Sequence, residues 1–168
     1  EHDVVAAVVL SITALCVGVL LYRREYVRPQ PGIKARVKAL YVFPVKSCAG
    51  ISVDEAAMGV GGLEGDREWM IVRAPTPPEE PRARMLTIRE YPRLVLLQPS
   101  FAPSGNLVLT APDGRSVEVV SPGAPRECEV LVWRTVCRGL DQGAEVARSL
   151  ATYLGVGEEA SGGVLLLR

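Results

Sequence analysis

The sequence predicts a mainly β protein, a β-barrel or curved antiparallel sheet with one C-terminal helix, preceded by a single N-terminal transmembrane helix. Three observations lead there. Residues 4–22 carry no charge. From Ile33 onward apolar residues recur at every second position in short runs separated by Gly, Pro and Asp. Beyond the leading segment, helical spacing of apolar residues begins only after Asp141.

Taken in order, residues 4–22 (VVAAVVLSITALCVGVLLY) span about 28 Å as a helix at roughly 1.5 Å per residue, enough for a bilayer core of about 30 Å. Glu1 and Asp3 precede the run, where a signal peptide wants positive charge; Arg23, Arg24 and Arg28 follow it. That asymmetry predicts a membrane anchor with the rest of the chain in the cytosol. Residues 23–32 form a stiff linker through Pro29 and Pro31, and 33–168 form the β domain.

In that domain Ile33, Ala35, Val37, Ala39, Tyr41 and Phe43 alternate with Lys34, Arg36 and Lys38. This predicts a strand with one wet face, buried on both faces at Leu40 and Val42, and ended or bulged by Pro44. Further strands are expected at 51–58, 66–72 and 93–98. A glycine-punctuated stretch separates the first two of these, and a proline-rich exposed loop follows at 74–81. Residues 106–111 and 116–120 flank Asp113-Gly114 as a hairpin. Residues 128–137 are expected as one long strand. Val146, Ala147, Leu150, Ala151 and Leu154 predict the helix, with Asp141 as N-cap and Gly155 as stop. Residues 164–167 make a last strand.

Composition narrows the chemistry. Among 168 residues, 19 are basic and 19 acidic, so no long-range field collects nucleic acid. Hydrophobic residues at 48% speak against wholesale disorder. The lone histidine, His2, removes His-based triads and His-ligated zinc from consideration. Cys16, Cys48, Cys128 and Cys137 have no CxxC spacing, which suits reduced thiols on a cytosol-facing protein.

Three motifs could carry chemistry. In Phe43-Pro44-Val45-Lys46-Ser47-Cys48-Ala49-Gly50, a lysine and a serine follow a strand end. With free N–H groups of the turn they could cradle an anion; the alternative is a solvated lysine. In Gly62-Leu63-Glu64-Gly65-Asp66-Arg67-Glu68-Trp69, Arg67 opens a strand and could grip a phosphate or carboxylate, or else pair with a nearby acid. In Thr87-Ile88-Arg89-Glu90-Tyr91-Pro92-Arg93-Leu94, turn chemistry and a structural salt bridge by Arg89 are expected. Cys48 lies beside a cation but has no histidine base, so it is not expected to be a nucleophile.

The ordered set of these motifs resembles the N-terminal β-barrel half of MOSC-domain proteins, and with the leading anchor it is most similar to their amidoxime-reducing mitochondrial branch. The resemblance runs from about Lys38 to Arg168. It implies a molybdenum-cofactor enzyme in which Lys46, Ser47 and Arg67 help hold molybdopterin. It implies reduction of N-hydroxylated compounds such as amidoximes and hydroxylamines, with electrons from cytochrome b5 reductase and cytochrome b5. It also implies an anchor in the mitochondrial outer membrane. Two departures stand out: a longer proline-rich loop after Arg73, and no MOSC half after Arg168. The chain is therefore expected to be the cofactor-gripping fragment, inactive alone, with no metal ligand of its own. In particular, Cys128 and Cys137 are expected about 30 Å apart at the ends of one strand. The alternatives are part of a molybdenum cofactor sulfurase and a membrane-tethered β-barrel binding module without catalysis.

Overall fold

The computed structural model describes residues 37–156 and 163–168. The anchor expected at 4–22, the linker at 23–32 and the first residues of the β domain, 33–36, lie outside them. Among the described residues no helix is long and apolar enough to cross a membrane.

In chain order the elements are β1 (Leu40–Val42), β2 (Val45–Lys46), β3 (Ile51–Val53), β4 (Met58–Gly59), β5 (Gly62–Leu63), β6 (Trp69–Arg73) and β7 (Ala83–Met85). A 3-10 turn (Pro92–Leu96) precedes β8 (Gln98–Phe101), β9 (Leu107–Thr110), β10 (Ser116–Val119), β11 (Glu127–Val132) and β12 (Thr135–Leu140). The helix α1 (Ala144–Leu154) and β13 (Val164–Leu167) close the chain. The main sheet has the order β12-β11-β7-β6-β13, with β2 also on β6. Its two ends meet. Leu140 and Arg168 exchange both backbone hydrogen bonds, at 2.7 and 3.0 Å, and Asp141 bridges Leu167 antiparallel. The sheet is thereby closed into a barrel, which removes the free edges an open sheet would present.

Period-two alternation sorts the side chains of β6 and β13 between two cores. Trp69, Ile71, Val164 and Leu166 face the larger one, with Leu94, Leu97, Leu107, Leu109, Leu150 and Tyr153. Val72 and Leu167 face the smaller one, with Ala83, Cys128 and Val130. Both faces of β6 and β13 are thus covered, which suits their unbroken apolar runs. The meander β8-β9-β10 and α1 enclose the larger core. The apolar stripe of α1 at Val146, Leu150, Ala151, Tyr153 and Leu154 is its buried face. Gly155 stops the helix in the left-handed region, with its N–H on the last carbonyls.

Several expectations need correction. Around β1 only one of the two faces expected to be buried is so: Val42 is buried, whereas Tyr41 and, just past the strand, Phe43 are exposed. The larger core takes none of the β1 side chains and begins with Val45, beyond Pro44. The strand expected at 51–58 is two short pieces, β3 and β4. The strand expected at 66–72 starts at Trp69, because Asp66–Arg67 form a turn. Residues 93–98 begin as a 3-10 turn: Pro92 starts it, Leu94 is its buried side chain, and the C-cap residue Leu97, three further on, is buried as well. Asp141 is not the N-cap. Gly143 is, and Asp141 Oδ1 accepts its N–H at 2.9 Å. Most consequentially, 128–137 is not one strand but the hairpin β11–β12, turning at Trp133-Arg134. Trp133 takes a φ of +56°, the left-handed value that two-residue hairpin loops require. Cys128 opposes Gly139 and Cys137 opposes Val130. The two thiols are therefore diagonal neighbours on one face, about 7 Å apart, rather than 30 Å.

Candidate functional site

The first two sequence motifs lie side by side. Strand β2 runs parallel to β6 with Val45 opposite Trp69 and Lys46 opposite Met70. Upstream of that ladder Asp66 ties the two segments together. Its Oδ1 accepts the N–H of Phe43 at 2.8 Å, and the Arg67 N–H donates to the Phe43 carbonyl at 2.7 Å. Trp69 N–H then donates to the Pro44 carbonyl at 3.0 Å. The segment just after the third motif meets the loop after Ser47, where Ala49 N–H donates to the Leu97 carbonyl at 3.1 Å.

Val45 is fully buried, so Lys46, the next residue, leaves on the opposite face and is half-buried. No carboxylate pairs with Lys46 among the described residues. Ser47 takes a φ of +72° and Arg67 a φ of +56°. Both are left-handed conformations that a residue with a Cβ adopts at a cost. Arg67 is held against Asp66 as an ion pair, with its guanidinium 5.9 Å from the Phe43 ring centre. Its side chain is 60% exposed, so this pair is screened and contributes little stability. The backbone hydrogen bond from Arg67 to Phe43 fixes Arg67 beside the segment that runs on to Lys46, three residues after Phe43.

One part of the expected cradle is absent. The N–H groups of Cys48 and Ala49 are already taken by the carbonyls of Val45 and Leu97. An anion here would rest on Lys46, Ser47 and Arg67 side chains rather than on those two amides. Cys48 is buried in the larger core, and desolvation pushes its thiol up to about 12. It stays protonated at neutral pH and is a poor nucleophile.

Arg89 forms no ion pair among the described residues, against expectation. The structural role in that motif belongs to Arg93, whose guanidinium lies 4.7 Å from the Tyr153 ring centre while the Tyr153 hydroxyl donates to its carbonyl at 2.8 Å. Asp66 was overlooked in the sequence. The signal was its place in Gly-Asp-Arg, a carboxylate at a tight turn with a neighbouring segment's N–H to receive.

Residues 34–157 match the family model for the MOSC N-terminal beta barrel domain. Mitochondrial amidoxime-reducing component 1 of Xenopus laevis is 34% identical over 124 residues, covering 70% of this chain and 34% of the relative. Mitochondrial amidoxime reducing component 2 of Homo sapiens is 28% identical over 153 residues, covering 86% and 43%. Molybdenum cofactor sulfurase of Drosophila grimshawi is 31% identical over 144 residues, covering 82% and 17%. The chain spans less than half the length of each of these relatives.

Proposed function

The chain belongs to the MOSC N-terminal beta barrel family, and on that premise we propose that it is the phosphate-gripping part of a molybdenum-cofactor protein. The observation that supports this best is the alignment of the first two motifs on β2 and β6. It sets the segment that carries Lys46, a cation without a carboxylate partner among the described residues, and the Ser47 hydroxyl beside the segment that carries a second cation, Arg67. Molybdopterin ends in a phosphate, and this donor set fits that end. Lys46 would supply a compact charge and Ser47 a hydroxyl donor. Arg67 would supply a fork that its bond to Asp66 already orients. When bound, the group supplies the redox chemistry; the residues of this chain hold and orient it.

The further reading is a membrane-anchored reductase of N-hydroxylated compounds, such as amidoximes and hydroxylamines. Residues 4–22 would be the anchor and 23–32 the linker. The MOSC domain proper would complete the cofactor site. Cytochrome b5 reductase and cytochrome b5 would supply electrons, with the anchor in the mitochondrial outer membrane and the body in the cytosol. The names of the vertebrate relatives and the uncharged run support it. A sulfurase role is the second reading, favoured by the Drosophila grimshawi relative.

The test is cofactor content in the natural full-length protein. Lys46→Ala and Arg67→Ala are each expected to weaken cofactor retention about 10- to 100-fold, the effect of losing one charge-assisted hydrogen bond. Bound pterin would be measured by fluorescence after oxidation, alongside thermal stability. Unchanged pterin in Lys46→Ala would remove that residue from the site.

A further inference from the structure

A cleft of about 250 Å³ opens between α1 and the β9–β10 hairpin. Its floor is core: Leu97, Leu109, Leu150 and Tyr153 line it and are buried. Its rim is polar, and the charged side chains on it are Arg115, Glu145 and Arg148. None of Lys46, Ser47 and Arg67 lines it, so it is separate from the site proposed above.

The rim charges are not equivalent. Arg115 is committed to Asp113, with hydrogen bonds at 2.9 and 2.6 Å. That guanidinium holds the Asp113 carboxyl below its ordinary range, chiefly through the side-chain hydrogen bond. Arg148 has no carboxylate partner among the described residues, and neither does Glu145 an ammonium or guanidinium. An apolar floor beside an uncommitted guanidinium selects for a molecule that is apolar at one end and anionic at the other. The single carboxylate of Glu145, three residues from Arg148 on the same helix, disfavours a second negative charge on the ligand. At roughly 25–30 Å³ per heavy atom, the packing of liquid water, the cleft holds about ten heavy atoms.

We propose that this cleft binds small amphipathic monocarboxylates, the apolar body lying on Leu97, Leu109 and Leu150 and the carboxylate on Arg148. Leu97 does double duty: its side chain floors the cleft while its carbonyl anchors Ala49, in the loop after Ser47.

The probe is octanoate, with octanol as the uncharged match, titrated into methyl-labelled protein comprising the whole chain. Octanoate is expected to shift the methyl resonances of Leu97, Leu109 and Leu150 saturably, and octanol to bind about tenfold more weakly. Arg148→Gln should bring octanoate down to the level of octanol. Glu145→Gln should strengthen octanoate and leave octanol unchanged. Ser149 is exposed on the rim, so Ser149→Trp blocks the mouth without touching the core and should abolish both. No saturable shift of the floor methyls up to about 10 mM would overturn the proposal. So would equal binding of the two probes, or binding that survives Ser149→Trp in a folded protein.

Discussion

Gly139 passes so close to Leu167 that a Cβ on the glycine would stand 2.9 Å from the leucine Cβ. The contact falls beside the seam where β12 meets β13. There Leu140 and Arg168 exchange backbone hydrogen bonds, and the Leu167 side chain fills the smaller core. A Cβ cannot swing aside as a side-chain tip can, so closure of the barrel depends on the missing methyl at this position.

Gly139→Ala is therefore expected to destabilise the protein by about 1–3 kcal/mol, the usual cost of overpacking. The denaturant midpoint measures it. Gly123→Ala, where an added Cβ meets nothing within 4 Å, is the control and should stay within about 0.5 kcal/mol of the parent. Equal effects would remove the steric argument.

Asp66 is expected to act through its acceptor oxygen more than its charge. Asp66→Ala removes the partner of the Phe43 N–H and should cost about 1 kcal/mol. Asp66→Asn retains an acceptor and should keep most of that stability, since the ion pair to an Arg67 side chain 60% exposed is screened. Urea unfolding of both variants decides between the two. Matching losses would make the charge the main contribution.

Ser47 separates backbone demand from chemistry. At a φ of +72°, Ser47→Gly should be neutral or stabilising while lacking the hydroxyl. Ser47→Val, β-branched in the left-handed region, should cost about 1–2 kcal/mol. In the full-length protein Ser47→Gly should nonetheless lose pterin. Full retention by that glycine variant would leave Ser47 with a purely structural role.

Alkaline pH should expose the buried thiol. Burial raises the Cys48 thiol from 9.0 to about 12, so the folded state holds its proton while the unfolded state releases it above about 9. Stability is unaffected below that pH and falls as pH rises toward 12, by up to about 1.4 kcal/mol per pH unit. The measurement is the difference in unfolding free energy between the parent and Cys48→Ala at about pH 8 and about pH 10.5. A difference that does not change across that range would mean the thiol is solvated. Iodoacetamide should likewise modify the half-buried Cys137 before Cys48.

What could be read from the sequence alone shares a physical cause: the signal was local. The helix 144–154 follows from apolar spacing and a glycine stop, and the 106–120 hairpin from Asp-Gly between alternating runs. The proline-rich loop follows from prolines that cannot enter a ladder. The three motifs were read from residue types and their order, which was enough to suggest the family that the comparisons then established. The rest needed contacts between distant segments. Trp133-Arg134 carries none of the usual turn residues, so only pairing of β11 with β12 showed that Cys128 and Cys137 are near neighbours. In β1 alternation alone did not show that Tyr41 would be exposed while Val42 is buried. Strand β7, only Ala83–Met85, has no local signal and exists because β6 and β11 flank it. The alternation of β12 and β13 fits an open curved sheet as well as a closed barrel. Closure was decided by Leu140 meeting Arg168, and permitted by the bare Cα of Gly139 against Leu167.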